Sequence, residues 1–274
     1  MLRIDTHYHA SLHWWEPIEV FIFHMDRCNV DKGVLIQFIG EYDNSYLLES
    51  VKRYPGRLTA IAYVDVASPT AIEDMERVWH AGAAGFRMPL PQPATLAKPH
   101  ALWRKAQQLG SVVSVVGTTS QFASLEFEEA VRAVPDLPIV IEHMGVLNRL
   151  ITAGHGADND VPVPPYEEYR RVMELGKYPN VYIKVTGFSE YMPRPKVFSG
   201  PAFDLAKAPP FIDMCVDAFG AERMMVGTDP SSSCREGYGN VWSDVELYLT
   251  RFSPAEQAAI LGKTADQLFP FPTL

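Results

Sequence analysis

Eight short apolar runs, spread along the whole chain, constrain most strongly what this sequence can fold into. They occupy residues 2–7, 33–39, 58–64, 83–88, 111–116, 138–143, 180–186 and 223–228. Several are nearly continuous in Val, Ile and Leu, which is typical of strands covered on both faces. The segments between them show helical spacing of apolar residues, over 17–30, 44–54, 69–80, 98–109, 122–134, 165–176, 203–219 and 240–262. Strand and helix alternating eight times predict a parallel sheet closed into a (β/α)8 TIM barrel.

The length of the chain agrees with this fold. Its 274 residues are close to the roughly 250 residues typical of such barrels. A doubly wound open sheet is the alternative, but no GxGxxG motif follows the first run. Neither an internal repeat nor a linker divides the sequence, so we expect a single domain over residues 1–274.

Composition and charge argue against several classes of function. The chain has 24 Lys and Arg against 33 Asp and Glu, a net charge of −9, which argues against binding nucleic acid or an anionic membrane. No apolar run reaches the roughly 18 residues of a membrane span, and no signal peptide is recognisable. The three cysteines, Cys28, Cys215 and Cys234, have no CxxC spacing and indicate no disulfide framework. We therefore expect a cytoplasmic protein.

Two histidines end the first apolar run, one residue apart. Alternate residues of a strand point to the same face, so Asp5, His7 and His9 should share one face. Two imidazoles that converge in this way can hold one metal ion or polarise one substrate oxygen. Because barrel enzymes keep their active sites at the carboxyl ends of the strands, the position of this pair favours a catalytic site.

Two further strands end in groups of the same kind. Asp229 follows the eighth run, and His143 ends the sixth. In a regular strand His143 shares a face with Ile139 and Ile141, so we expect these three toward the site. Glu142, in the opposite phase, should face the helices in a structural role.

Several motifs, in this order, resemble those of one protein family. They are DTHYH at 5–9, GFR at 85–87, IEHMG at 141–145, NVYIKVTG at 180–187, GTDP at 227–230 and ILGKTADQLF at 260–269. Together they resemble the amidohydrolase superfamily, and within it the amidohydrolase-2 branch, which contains sugar lactonases and 2-pyrone-4,6-dicarboxylate lactonase. The resemblance spans almost the whole chain and implies a deformed (β/α)8 barrel.

The resemblance also implies roles for the site residues. Asp229 takes the proton of an attacking water, while His7, His9 and His143 polarise the scissile carbonyl directly or bind a metal that does so. The same three histidines and Asp229 are then the ligands of one divalent ion, Zn²⁺ or Mn²⁺. Some members of the branch act without a metal, so both arrangements stay open. Arg87 resembles the arginine that binds a substrate carboxylate.

The chain departs from the family pattern at several strand ends. The fifth run ends without the His or Lys that bridges two metals, so a dinuclear site is not expected. Lys184, in the seventh run, stands where deaminases and decarboxylases carry a histidine, and it could contact a substrate carboxylate or a developing alkoxide. Tyr42, Tyr191 and Ser231, in loops after strands, are candidate hydrogen-bond donors to the substrate. Trp14 and Trp15, in the first of these loops, could line a pocket for a ring-shaped substrate.

These observations favour a hydrolase that opens the cyclic ester of a small carboxylated or sugar-derived acid. The first alternative is a metal-dependent non-oxidative decarboxylase of an aromatic or muconic-type acid. The second is a barrel that has lost catalysis and only binds a ligand. A small anionic or sugar-derived molecule is the expected partner, and a homo-oligomer is compatible with the sequence.

Overall fold

Eight parallel strands form one sheet in the computed structural model, which describes residues 1–90, 100–147, 161–187, 191–192, 203–230 and 237–273. Each strand pairs with the next along the chain. The strands are β1 (Ile4–Tyr8), β2 (Lys32–Ile36), β3 (Leu58–Ala62), β4 (Gly85–Pro89), β5 (Val112–Val116), β6 (Ile139–Ile141), β7 (Val181–Val185) and β8 (Met224–Val226). This order, with helices between the strands, confirms the predicted (β/α)8 barrel.

Helices surround the sheet. They are α1 (Ile18–Cys28), α2 (Ser45–Arg53), α3 (Ala71–His80), α4 (Ala101–Gln108), α5 (Thr119–Phe122), α6 (Leu125–Ala133), α7 (Glu167–Met173), α8 (Phe211–Phe219), α9 (Tyr238–Leu249), α10 (Pro254–Ala258) and α11 (Thr264–Leu268). The helix predicted over 122–134 begins only at Leu125, because the Ser124 side chain caps the helix start by accepting from the Phe127 N–H; Phe122 ends the separate short helix α5. The helix predicted over 240–262 ends at Leu249, and α10 starts after a Ser253 cap.

The last strand lies against the first, so that the barrel is nearly closed. The Thr6 hydroxyl donates to the carbonyl of Val226 at 2.7 Å. A Cβ atom on Gly227 would lie only 2.5 Å from the Cβ of His7, so this approach requires glycine. The site residues that follow β8 are thereby held next to those of β1.

The inside of the barrel has an apolar floor. Its members come from most of the strands and from the carboxyl-terminal helix: Ile4, Val34, Ile36, Ile61, Ala84, Val112, Val140, Met225, Ala265 and Phe269. A second, larger core packs the outer faces of the strands against the helices. Charged groups inside the barrel therefore lie between the floor and the larger core, at the carboxyl ends of the strands.

Two further sequence expectations concern cysteines and membranes. Cys28 and Cys215 are both free thiols, and Cys234 lies outside the described residues. Among the helices of the described ranges, none is both long and apolar enough to cross a bilayer.

Candidate active site

His7 and His9 converge at the end of β1, as the strand alternation predicts. Both side chains are buried, and their Nε2 atoms lie 3.3 Å apart. Nδ1 of His9 lies 2.7 Å from the carbonyl oxygen of Ile36, which only accepts, so Nδ1 carries the proton of this ring. Burial, and then the charge of Arg87, lower the pKa of His9 to about 3. His9 is therefore neutral, and the lone pair of its Nε2 atom is directed toward the His7 ring. We call the group of side chains around these two rings the centre.

Asp229 follows β8 and reaches the two imidazoles across the junction between β8 and β1. Its backbone is left-handed, with φ of 46°, which is costly for a residue with a side chain. Its N–H donates to the carbonyl of His7 at 2.9 Å. One carboxylate oxygen, Oδ1, then lies 3.5 Å from Nε2 of His9 and 4.0 Å from Nε2 of His7. The structure brings together the predicted base and both predicted imidazoles.

Asp5 supports this arrangement without joining the imidazoles. Its Oδ1 accepts from the N–H groups of His7 (3.1 Å) and Thr228 (2.9 Å), and its Oδ2 accepts from the Thr228 hydroxyl (2.6 Å). The register of β1 against β2 shifts between Asp5 and Tyr8. Asp5 thus fastens β1 to the segment that carries Asp229.

The phase predicted for the sixth strand is wrong. Val140 belongs to the floor of the barrel, whereas Ile139 and Ile141 pack against the helices. The strand ends at Ile141 and a 3-10 turn follows. The side chain of Glu142 lies on the same side as that of Val140, inside the barrel. His143 reaches the centre by a different route, because its backbone is left-handed with φ of 52°. Its ring centroid lies 5.4 Å from that of His7.

Glu142 forms a buried ion pair with Arg87. Its Oε2 accepts from Nη2 (2.7 Å) and Nε (3.1 Å) of Arg87, and its Oε1 accepts from the Ser114 hydroxyl (2.7 Å). Burial raises the pKa of Glu142, but the charges of Arg87 and Lys184 outweigh it and bring the pKa to about 2. Arg87 also donates from Nη1 to the carbonyl of Gln37 at 3.2 Å. The arginine predicted to bind substrate is thus held by a protein carboxylate.

Lys184 lies fully buried beneath the histidines. Its Nζ is 3.3 Å from Oγ of Ser114 and 3.5 Å from Nδ1 of His7. Burial lowers its pKa to about 8, although the charge of Glu142 opposes this. Ser114 and Lys184 share a sequence signal, since each is the single polar residue of an apolar strand. This signal could have found Ser114, which our sequence interpretation missed.

Of the remaining predicted residues, the structure describes Tyr42 and Tyr191. Tyr42 is half exposed, and its ring stacks on Tyr63 with 5.5 Å between centroids. Tyr191 is buried, with its ring edge-on to Phe211. Ser231 lies outside the described residues.

The two tryptophans of the first loop differ. Trp15 packs against His9 and Phe38, with ring centroids 5.4 and 5.0 Å away respectively. Trp14 is 83% exposed. Only Trp15 therefore forms part of an aromatic wall beside the histidines.

Comparison with models of known families shows to which family the chain belongs. A model of the amidohydrolase family, Amidohydro_2, matches residues 15–271. The chain belongs to the amidohydrolase family. The match covers the strands and helices from α1 onward, and it confirms the resemblance seen in the motifs. A search of curated proteins found no match.

Solved structures share the fold of this amidohydrolase at low sequence identity. A probable 2-pyrone-4,6-dicarboxylic acid hydrolase from Acinetobacter baumannii, with citric acid bound, is 20% identical, with 98% of this chain and 99% of that chain covered and a TM-score of 0.75. An amidohydrolase from Burkholderia multivorans with bound zinc is 22% identical over 98% and 100%, with a TM-score of 0.75. A dihydroxybenzoic acid decarboxylase from Polaromonas, with manganese and the inhibitor 2-nitroresorcinol, is 14% identical over 97% and 96%, with a TM-score of 0.63.

The donors of this amidohydrolase fit a divalent metal ion. Within the described residues, two groups have ligand atoms no more than 4.8 Å apart: His7, His9 and Asp229, and His7, Glu142 and His143. Imidazole and carboxylate donors suit Zn²⁺ and Mn²⁺. The four predicted ligands are all present, and Glu142 is a fifth candidate that was predicted to face the helices.

Proposed function

We propose that this amidohydrolase is a hydrolase that opens the lactone ring of a small carboxylated or sugar-derived acid. The observation that carries the proposal is the position of Asp229, whose Oδ1 lies 3.5 Å from Nε2 of His9 and 4.0 Å from Nε2 of His7. A buried carboxylate next to two imidazoles provides a base for water beside groups that can polarise a carbonyl.

In this proposal Asp229 takes a proton from water as the water oxygen attacks the lactone carbonyl. The tetrahedral oxyanion that forms is stabilised by N–H groups of His7 and His143, while His9, whose Nε2 carries a lone pair, orients the His7 ring. The bond from the carbonyl carbon to the ring oxygen then breaks, and Asp229 returns its proton to the departing oxygen. Water and lactone thus give one hydroxy acid, and Asp229 is restored.

A metal fits the same donors. His7, His9, His143 and Asp229 would hold it, and when bound it would polarise the carbonyl and lower the pKa of water. With or without the metal, residues of the chain bind and orient the substrate.

The class of substrate follows from the buried cations. Arg87 and Lys184 are 5% and 0% exposed, next to the imidazoles. Away from water their charges act more strongly on an anion than they would at the surface, although Glu142 already balances the charge of Arg87. This supports a substrate with a carboxylate, and we assign its binding to these two residues, with Tyr42, Tyr191 and Ser231 as further proposed donors. A homo-oligomer stays a prediction.

Acid release from a panel of lactones tests the proposal. We expect one equivalent of acid for each ring opened. We expect Asp229→Asn to lower kcat/KM by roughly 10²- to 10⁴-fold, because a base contributes about that much. Asp204→Asn, which removes an exposed carboxylate paired with Lys207, is the matched control and should leave the rate unchanged. Wild-type rates in Asp229→Asn would refute the role of the base.

A metal-dependent decarboxylase of an aromatic or muconic-type acid is the second candidate. Glu142 favours it, because it adds a carboxylate donor beside His7 and His143. Release of CO₂ from hydroxybenzoates without acid release from lactones, abolished by a chelator, would select this candidate. A protein inert toward both panels would instead indicate a binding barrel without catalysis.

A further inference from the structure

Lys184 contacts His7 on the side of the ring away from the centre. Its Nζ lies 3.5 Å from Nδ1 of His7, and both groups are fully buried. A lysine ammonium has only donors, so Nδ1 of His7 must be the acceptor in this contact. A neutral imidazole carries a single N–H, and His7 therefore carries it on Nε2.

The opposite side of the ring requires the same tautomer. His9 has its proton on Nδ1, held by the carbonyl of Ile36, so its Nε2 presents a lone pair. Nε2 of His7, 3.3 Å away, is then its donor. The contacts form one directed series, from Lys184 to His7 to His9 to Ile36. The other tautomer of His7 would place two donors against each other at Nδ1 and two lone pairs against each other at Nε2.

We infer that Lys184 is a positioning residue that fixes the Nε2-protonated tautomer of His7 and so opposes metal binding by this imidazole. Coordination needs the lone pair of Nε2, which is available only when the proton has moved to Nδ1, against the ammonium of Lys184. In the metal-free protein, His7 thus presents an N–H to the centre. That N–H donates to Nε2 of His9 and can donate to a carbonyl oxygen once a substrate displaces this contact, a step that rests on the proposed hydrolase function.

The position of Lys184 makes this effect specific. Its other hydrogen-bond contact in the described ranges is the hydroxyl of Ser114, at 3.3 Å. Removing that hydroxyl leaves the contact with His7 in place. Ser114→Ala is therefore a matched control for Lys184→Met, since both change the same buried cluster.

Two measurements without substrate test the inference. ¹⁵N NMR of metal-free protein labelled in histidine, with His7 assigned by comparison with His7→Gln, should show His7 protonated on Nε2. Competition with a colorimetric chelator should show that Lys184→Met binds Zn²⁺ roughly tenfold tighter than wild type, the lower range for groups that contact a metal ligand. Ser114→Ala should bind Zn²⁺ within about threefold of wild type, since an effect well under tenfold leaves the contact with His7 intact.

Each contrary outcome overturns the inference. His7 protonated on Nδ1 in the wild type would do so, and tighter Zn²⁺ binding in Lys184→Met would then reflect charge alone. Unchanged Zn²⁺ affinity in Lys184→Met, or an equal gain in Ser114→Ala, would also do so. If Lys184→Met fails to fold, as judged by thermal unfolding, the NMR result on the wild type still decides. None of these readouts depends on which reaction the protein catalyses.

Discussion

Single backbone contacts decide much of the chemistry of the centre at the scale of the residue. The carbonyl of Ile36 holds the proton of His9 on Nδ1, and the N–H of Asp229 on the carbonyl of His7 places its carboxylate. Both contacts cross between strands. The sequence shows which side chains are available at the centre, and the contact with Ile36 shows which nitrogen of the His9 ring carries the proton.

The ion pair of Glu142 with Arg87 leads to a prediction at the same scale. Glu142→Gln keeps the shape of the side chain but leaves the guanidinium buried without its counter-ion. We expect the free energy of unfolding, measured by urea denaturation, to fall by roughly 3 kcal/mol, because an unpaired buried charge is costly.

A double variant is the control for this ion pair. Arg87→Met with Glu142→Gln removes both charges, and we expect it to recover part of the lost stability. A double variant less stable than Glu142→Gln would show that the guanidinium is stabilised by other groups.

At the scale of the element, regular structure could be predicted from the sequence, and its ends could not. Each of the eight apolar runs overlaps a strand, because burial on both faces leaves a clear signal. The phase of β6 was wrong, because the strand gives way after Ile141 to a turn in which His143 and Met144 are left-handed. Neither residue favours that conformation in isolation. Tertiary contacts impose it, such as the Tyr169 hydroxyl that donates to the carbonyl of Met144 at 3.2 Å.

The junction between β1 and β8 gives a second prediction. Asp5→Ala leaves the N–H groups of His7 and Thr228 without their buried acceptor, so we expect a loss of about 2 kcal/mol or more in the free energy of unfolding. We also expect lower kcat, since Asp229 follows the segment that is released. Asp5→Asn keeps an acceptor oxygen and should restore most of the free energy of unfolding and most of kcat.

Thr228→Val is the matched control for this junction. It removes the hydrogen bond from the Thr228 hydroxyl to Asp5 and should cost only about 1 kcal/mol, the usual value for one hydrogen bond. Equal losses in Thr228→Val and Asp5→Ala would show that the backbone bonds of Asp5 contribute little.

At the scale of the whole molecule, the barrel holds neutral imidazoles and an ionised carboxylate out of water, and this makes its stability depend on pH. His9 has a pKa of about 3 in the folded protein, lowered by burial and by Arg87, against 6.5 for a free imidazole. Between these values the unfolded chain binds more protons than the folded one, so stability falls as pH falls. Burial also lowers the pKa of His7, which adds to the effect.

Glu142 acts in the same direction at lower pH. Its ionised form stabilises the fold above 4.5, and this contribution is lost as pH falls toward the folded pKa of about 2. The free energy of unfolding, measured in urea from pH 7.5 downward, should therefore decline from about pH 6.5, by up to about 1.4 kcal/mol per pH unit for each imidazole, and more steeply below about 4.5. His9→Asn, which keeps a donor for the carbonyl of Ile36, should reduce the slope of the upper part, whereas His80→Asn, at an exposed position of α3, should leave it unchanged. A buried neutral imidazole must lower the stability of the protein as pH falls through this range. A free energy of unfolding that stays constant down to about pH 5 would therefore mean that the imidazoles of the centre take up protons in the folded state. The neutral pair on which the proposed chemistry depends would then be ruled out.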